Sequence, residues 1–102
     1  DMTVEVFLNT SSNELQVKVA GRFDFSVHQD FRKLSEQAAK GVSSISIDLG
    51  RTEYVDSSAL GMLLVLRDKV GNQQSAIKII NARPDVKKIL TIANFDKLFT
   101  VL

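Results

Sequence analysis

The sequence contains no cysteine. That absence removes disulfides, thiol nucleophiles and cysteine-held metals, and it fits a reducing compartment. Histidine is nearly absent too, with His28 alone. A histidine metal site needs at least two more suitable ligands, and the carboxylates show no metal-loop spacing, so His28 reads as a surface histidine. A serine nucleophile needs a base that a third group holds in place. Ser57 with His28 is the available pair, and the G-x-S-x-G elbow of the α/β hydrolases is missing. The five glycines form neither G-x-G-x-x-G nor a phosphate loop ending in Gly-Lys-Ser/Thr. No self-contained enzyme is expected, and no cofactor or metal.

An excess of one charge is also missing. Thirteen basic and 12 acidic residues leave a net charge of +1, scattered along the chain. A nucleic-acid surface normally clusters its basic residues on one face, so direct nucleic-acid binding is not expected. The tightest basic group, Arg83 with Lys87 and Lys88, suits a solvated helix face. The longest apolar run, residues 60–66, contains Gly61 and stops at Arg67, far short of the roughly 20 residues that cross a bilayer. No basic leader precedes an apolar segment, so no secretory signal is expected.

What is present suits one globular domain spanning residues 1–102: 44% of residues are hydrophobic and 25% charged, enough of the first to build a core. Met2, Val4, Val6 and Leu8 alternate with more polar neighbours, as do Leu15, Val17 and Val19, and the polar stretch 9–13 between them makes a β-hairpin that Gly21 ends. The period then changes. Val27, Phe31, Leu34 and Ala38 form one face of a helix that opens with Ser26 and Gln29 as a capping box and stops at Gly41. Residues 44–49 return to alternation as a third strand. After a short connection, 50–55, a second helix runs from Asp56-Ser57 to Val70; its middle is apolar on nearly every side, so it should be mostly buried. Residues 76–80 make a fourth strand. Pro84 and Asp85 suit the first turn of a third helix with Val86, Ile89, Leu90 and Ala93 on its apolar face, and residues 98–102 can close the chain as a short strand. The order β-β-α-β-α-β-α-β predicts an α/β fold: a mixed sheet with an antiparallel opening hairpin, parallel pairing across the helices, and the helices packed against it.

One junction stands out chemically. Asp56, Ser57 and Ser58 place a carboxylate and two hydroxyls at the start of an apolar helix. Any of the three can accept from the free N–H groups of the first turn, and capping alone explains their presence. A helix pinned by its apolar residues also holds its first turn rigidly, which suits presentation to another protein.

In this setting the stretch Ile45-Ser46-Ile47-Asp48-Leu49, followed by Tyr54-Val55-Asp56-Ser57-Ser58-Ala59-Leu60-Gly61, resembles the STAS domain of bacterial anti-sigma-factor antagonists. Gly21-Arg22-Phe23-Asp24 is similar to that family's Gly-x-Leu-Asp, Asn81-Ala82-Arg83-Pro84-Asp85-Val86 to its turn before the third helix, and residues 95–99 to its closing segment. The similarity covers essentially the whole chain. Ala59 stands where many members have glycine, and Phe23 where they have leucine. The resemblance implies that Ser57 is a phosphoryl acceptor, Asp56 its acidic neighbour, and Ser58 a cap or secondary site. It further implies a partner switch. The unphosphorylated form would bind an anti-sigma factor, often itself a serine kinase of the histidine-kinase-like ATPase type, and so free a sigma factor; phosphorylation would release that partner, and a metal-dependent serine phosphatase would restore binding. The interface expected is one patch made by Asp24, Phe25 and Ser26 with the turn from Asp56 through Ser57, Ser58, Leu60 and Gly61 to Met62. A cytoplasmic monomer or weak dimer without membrane contact completes the expectation. The alternative is a STAS domain that serves as a non-switching subunit, for instance beside a membrane transporter's ATPase.

Overall fold

Alternation in the first part of the chain produces the hairpin. In the computed structural model, which describes residues 3–102 save the side chain of Ser75, β1 (Val4–Asn9) pairs antiparallel with β2 (Glu14–Phe23). Val4 lies opposite Val19, Val6 opposite Val17 and Leu8 opposite Leu15, so the apolar sets share a face. Met2, expected at the start of this strand, lies outside the described residues. The second strand does not end at Gly21. It continues to Phe23 because Gly21, at φ +76°, takes up a register shift against the neighbouring strand that other residues accommodate poorly.

The remaining strands are β3 (Ser44–Val55), β4 (Ile77–Ile80) and β5 (Thr100–Val101), each parallel to the one before. The helices between them are α1 (His28–Ala39), α2 (Ser57–Lys69) and α3 (Pro84–Ile92). Strand order in the sheet follows chain order, β1-β2-β3-β4-β5. Every crossover therefore advances in one direction, and right-handed crossovers then put all three helices on the same face. Burial agrees. Leu15, Val17, Ile45, Ile47, Ile77 and Ile79, which share the covered face, are 0–1% exposed, whereas Lys18 on the other face is exposed and Gln16, Asp48 and Lys78 are half-buried. The expected element order and mixed sheet are both present.

Further local expectations are corrected. β3 is twice its expected length, because residues 50–55 extend the strand instead of forming a connection. Its buried positions pass from Ile45, Ile47 and Leu49 to Thr52 and Val55, so the alternation breaks just where bulges intervene. The capping box of Ser26 and Gln29 does not form. Ser26 sits inside a 3-10 turn, Phe25–Val27, capped by Asp24, and Val27 stands before α1 without a side-chain cap. Finally, α2 buries only Ala59, Met62, Leu63 and Leu66; Leu64 and Val65 are 41% and 55% exposed. Its apolar middle exceeds what the sheet and α1 can cover. The third helix likewise buries Val86 and Leu90 while Ile89 stays exposed, and the last strand pairs only at Thr100 and Val101, behind the stacked rings of Phe95 and Phe99.

Candidate functional site

Phe23 and Val55 are partners at the C-terminal ends of two neighbouring parallel strands, so Asp24 and Asp56 leave the sheet side by side. Each aspartate then organises the turn that follows it. The Asp24 carboxylate accepts from the backbone N–H of Ser26 at 3.0 Å and from its hydroxyl at 2.6 Å. Asp56 accepts from the hydroxyl of Ser58 at 2.6 Å and from the backbone N–H of Ala59 at 3.0 Å, the geometry of a helix N-cap. The chain thus carries two copies of one Asp-x-Ser device on adjacent strands.

The electrostatics follow from those bonds. Ser58's hydroxyl, then the Ala59 N–H, hold the Asp56 carboxyl below its ordinary value, and the nearby charge of Asp24 pushes weakly the other way. Asp24 is held low chiefly by the hydroxyl and N–H of Ser26, with a smaller contribution from Arg22. Arg22 donates from Nε to Asp24 at 3.2 Å, and its guanidinium lies 4.3 Å from the centre of the Tyr54 ring. Both aspartates are therefore ionised at neutral pH, and the turn ahead of α2 is negative.

Ser57 follows Asp56 as the first residue of α2. It is exposed, and among the described residues its hydroxyl makes no hydrogen bond, whereas Ser58 is half-buried and committed to Asp56. Two serines that look alike in sequence are unlike in chemistry: the cap is Asp56, Ser58 braces it from inside the helix instead of capping, and Ser57 is committed to neither. Leu60 is half-buried, Gly61 is exposed, and Met62 is 8% exposed and turns its side chain into the core. Across from this turn, Phe25 is 64% exposed and stacks on His28 at 4.6 Å between ring centres. Asp24, Phe25, Ser26 and the start of α2 therefore meet at one end of the sheet, with Met62 as support beneath the surface. Arg22 and Tyr54 also belong to this end and were missed by sequence reasoning; both fall in stretches where the bulges of β2 and β3 hide the pairing of Arg22 with Tyr54. Among the described residues no group of three or more His, Asp or Glu side chains is placed to hold a metal ion.

Fold and site together define a class: a one-sided mixed-sheet module that presents a free hydroxyl at a helix start, flanked by two ionised carboxylates. The chain belongs to the STAS family, for the family model described as "Mlab, STAS domain" matches residues 6–101. It is 43% identical over 100 residues to a STAS-domain containing protein of Pseudomonas aeruginosa, covering 98% of this chain and 99% of that one. It is 28% identical over 69 residues to a protein of Bordetella bronchiseptica named "Putative anti-sigma factor antagonist BtrV", a match spanning 68% of this chain and 60% of the relative. The fold is that of the anti-sigma factor antagonist SpoIIAA in its unphosphorylated form, with a TM-score of 0.81 and 20% identity over 97% of this chain and 87% of that one.

Proposed function

We propose that this chain is an anti-sigma factor antagonist that switches partners through phosphorylation of Ser57. The observation that carries the reading is the contrast at the start of α2: Ser58 is tied to Asp56, while the exposed Ser57 hydroxyl is left without a bond. The names of BtrV and SpoIIAA support the general role. In the unphosphorylated state the surface around Ser57, Asp24 and Phe25 binds an anti-sigma factor and keeps it from its sigma factor. A serine kinase, either that partner or one acting with it, transfers the γ-phosphoryl group of ATP to Ser57 Oγ, which loses its proton. A phosphatase returns the hydroxyl by hydrolysis. The chain is the substrate in both steps and catalyses neither, and the cycle takes place in the cytoplasm.

The physics of the switch is local. A phosphate brings roughly −1.5 to −2 charges at neutral pH. The α2 N-terminus accommodates an anion, so the fold tolerates it. A partner packed on Ser57 has to bury that charge beside Asp24 and Asp56, which are ionised already. Turning a complex from 99:1 bound to 1:99 takes about 5.5 kcal/mol of differential interaction, and burial of an unmatched charge reaches that range. Pull-downs with Ser57→Ala and Ser57→Asp test the reading: the first is expected to retain an anti-sigma factor and the second to lose it. Equal retention by both variants, together with no reversible mass gain of about 80 Da on protein taken from cells, would leave a constant, non-switching subunit as the answer.

A further inference from the structure

A groove of about 500 Å³ runs between α1 and α2 away from the Ser57 turn. Resting on the function proposed above, we infer that it receives an amphipathic helix of the switching partner, apolar on its inner side and acidic along its edges. The first observation is Gly61. Glycine is a poor helix former, yet this one occupies the interior of α2, and a Cβ added to it would meet nothing within 4 Å. Nothing inside the chain requires the missing side chain. The open space lies outside, where another backbone can approach closely.

The second observation is a stripe. Ser57, Gly61, Val65 and Lys69 follow one another at intervals of four on α2, and all four are exposed. The stripe starts at the proposed acceptor and continues along the groove, so one occupant can touch both. From Gly61 to Lys69 the wall is about 12 Å long at 1.5 Å per residue, or roughly two helical turns. Phe31 and Met62, 2% and 8% exposed, make an apolar floor, with Phe25 and Val65 as exposed shoulders. Two packed helices flanking an apolar trough fit a third helix laid ridge into groove.

The third observation is charge. Arg32 and Lys69 line the groove against one carboxylate, Glu36, which sits 3.5 Å from Arg32 in a pair exposed at both ends. Such a pair holds Arg32 weakly, so the rim favours acidic side chains. The acidic edges match the Arg32 and Lys69 part of the groove, away from Asp24 and Asp56; a phosphate on Ser57 would add to those two carboxylates at the mouth, and the stronger repulsion would expel the helix.

The probe for the test is the protein retained by Ser57→Ala and lost by Ser57→Asp. Gly61→Ala is expected to raise Tm, because alanine favours the helix, and yet to weaken binding of that protein about tenfold or more. A double Arg32→Gln, Lys69→Gln variant is expected to weaken binding and flatten its salt dependence, whereas Ile92→Ser, on the exposed side of α3, leaves binding unchanged. Unchanged affinity of Gly61→Ala and of the double variant for the same protein overturns the groove and leaves the Ser57 switch intact. Failure of any protein to tell Ser57→Ala from Ser57→Asp removes both. A last comparison fixes the occupant: peptides covering the partner's sequence are competed against the complex, and the winner is expected to be acidic and helix-forming. A basic or extended winner overturns the inference.

Discussion

Asp24 and Asp56 each follow the last paired residue of neighbouring parallel strands, and each binds the serine two positions on at 2.6 Å. The starts of the two turns are built from this pair. One aspartate anchors the turn into α1 and the other caps α2, and the register of Phe23 against Val55 fixes both turns relative to each other.

The two serines at the start of α2 should separate in a thermal melt. Ser58→Ala removes the hydroxyl that binds Asp56, a loss of about 1 kcal/mol, or roughly 4–8 °C in Tm for a domain of this size. Ser57→Ala touches no bond within the fold and should stay within about 0.5 kcal/mol of the unsubstituted protein. Calorimetry of both variants checks this, and a larger loss for Ser57→Ala would mean that its hydroxyl is structural.

Acid should loosen the same region. Asp24 and Asp56 are held below their ordinary values, first of all by the hydroxyls of Ser26 and Ser58. Their folded values lie beneath the unfolded one, near 3.9. Their stabilisation is therefore complete above that value and is lost as pH falls through the lower folded ones. A double Asp24→Asn, Asp56→Asn variant should show a shallower drop in Tm between about pH 4 and pH 2. Some acid response will persist, since Glu14 is also held low, chiefly by Gln16 and further by Ser44 and Lys78.

Thr52 should prove more sensitive than its place in β3 suggests. It is 0% exposed, and its hydroxyl donates to the carbonyl of Val19 at 2.7 Å across the irregular part of the sheet. Thr52→Val keeps the shape and leaves that carbonyl short of a partner, at a cost of about 1–3 kcal/mol. Urea melts should show the loss in the midpoint with little change in slope.

Core and exposed apolar residues should differ sharply. Phe23 is 0% exposed and stacks on Phe31 at 4.9 Å. Phe23→Ala should cost about 3–5 kcal/mol, a large part of the 5–15 kcal/mol typical of a domain. Leu64→Ser, on the uncovered side of α2, should change stability by no more than about 0.5 kcal/mol. Circular dichroism melts of the pair measure the contrast.

Much of this was legible in the residue order. Val27, Phe31, Leu34 and Ala38 keep a helical period and pack as that period requires, and all four are buried. Asp56 announced a helix start and caps one. The failures share a cause, which is that local pattern does not contain the neighbour. Residues 50–55 lose their alternation at the bulges, so their strand becomes visible only when β2 lies beside them. Leu64 and Val65 look buried in a run of apolar residues, and only the count of elements available to cover α2 shows that they are not. Ser57 and Ser58 cannot be told apart as letters; the direction of one hydroxyl toward Asp56 separates them.

With its helices all on one side of the sheet, the molecule has a front and a back. Lys18 and Lys78 belong to the back, while Ser57 stands at the end of the strands, where the helices begin. A tether, a fluorophore or a second domain attached through the back would leave the turn that bears Ser57 unobstructed. The back strands can thus carry an attachment on a face that the helices do not share.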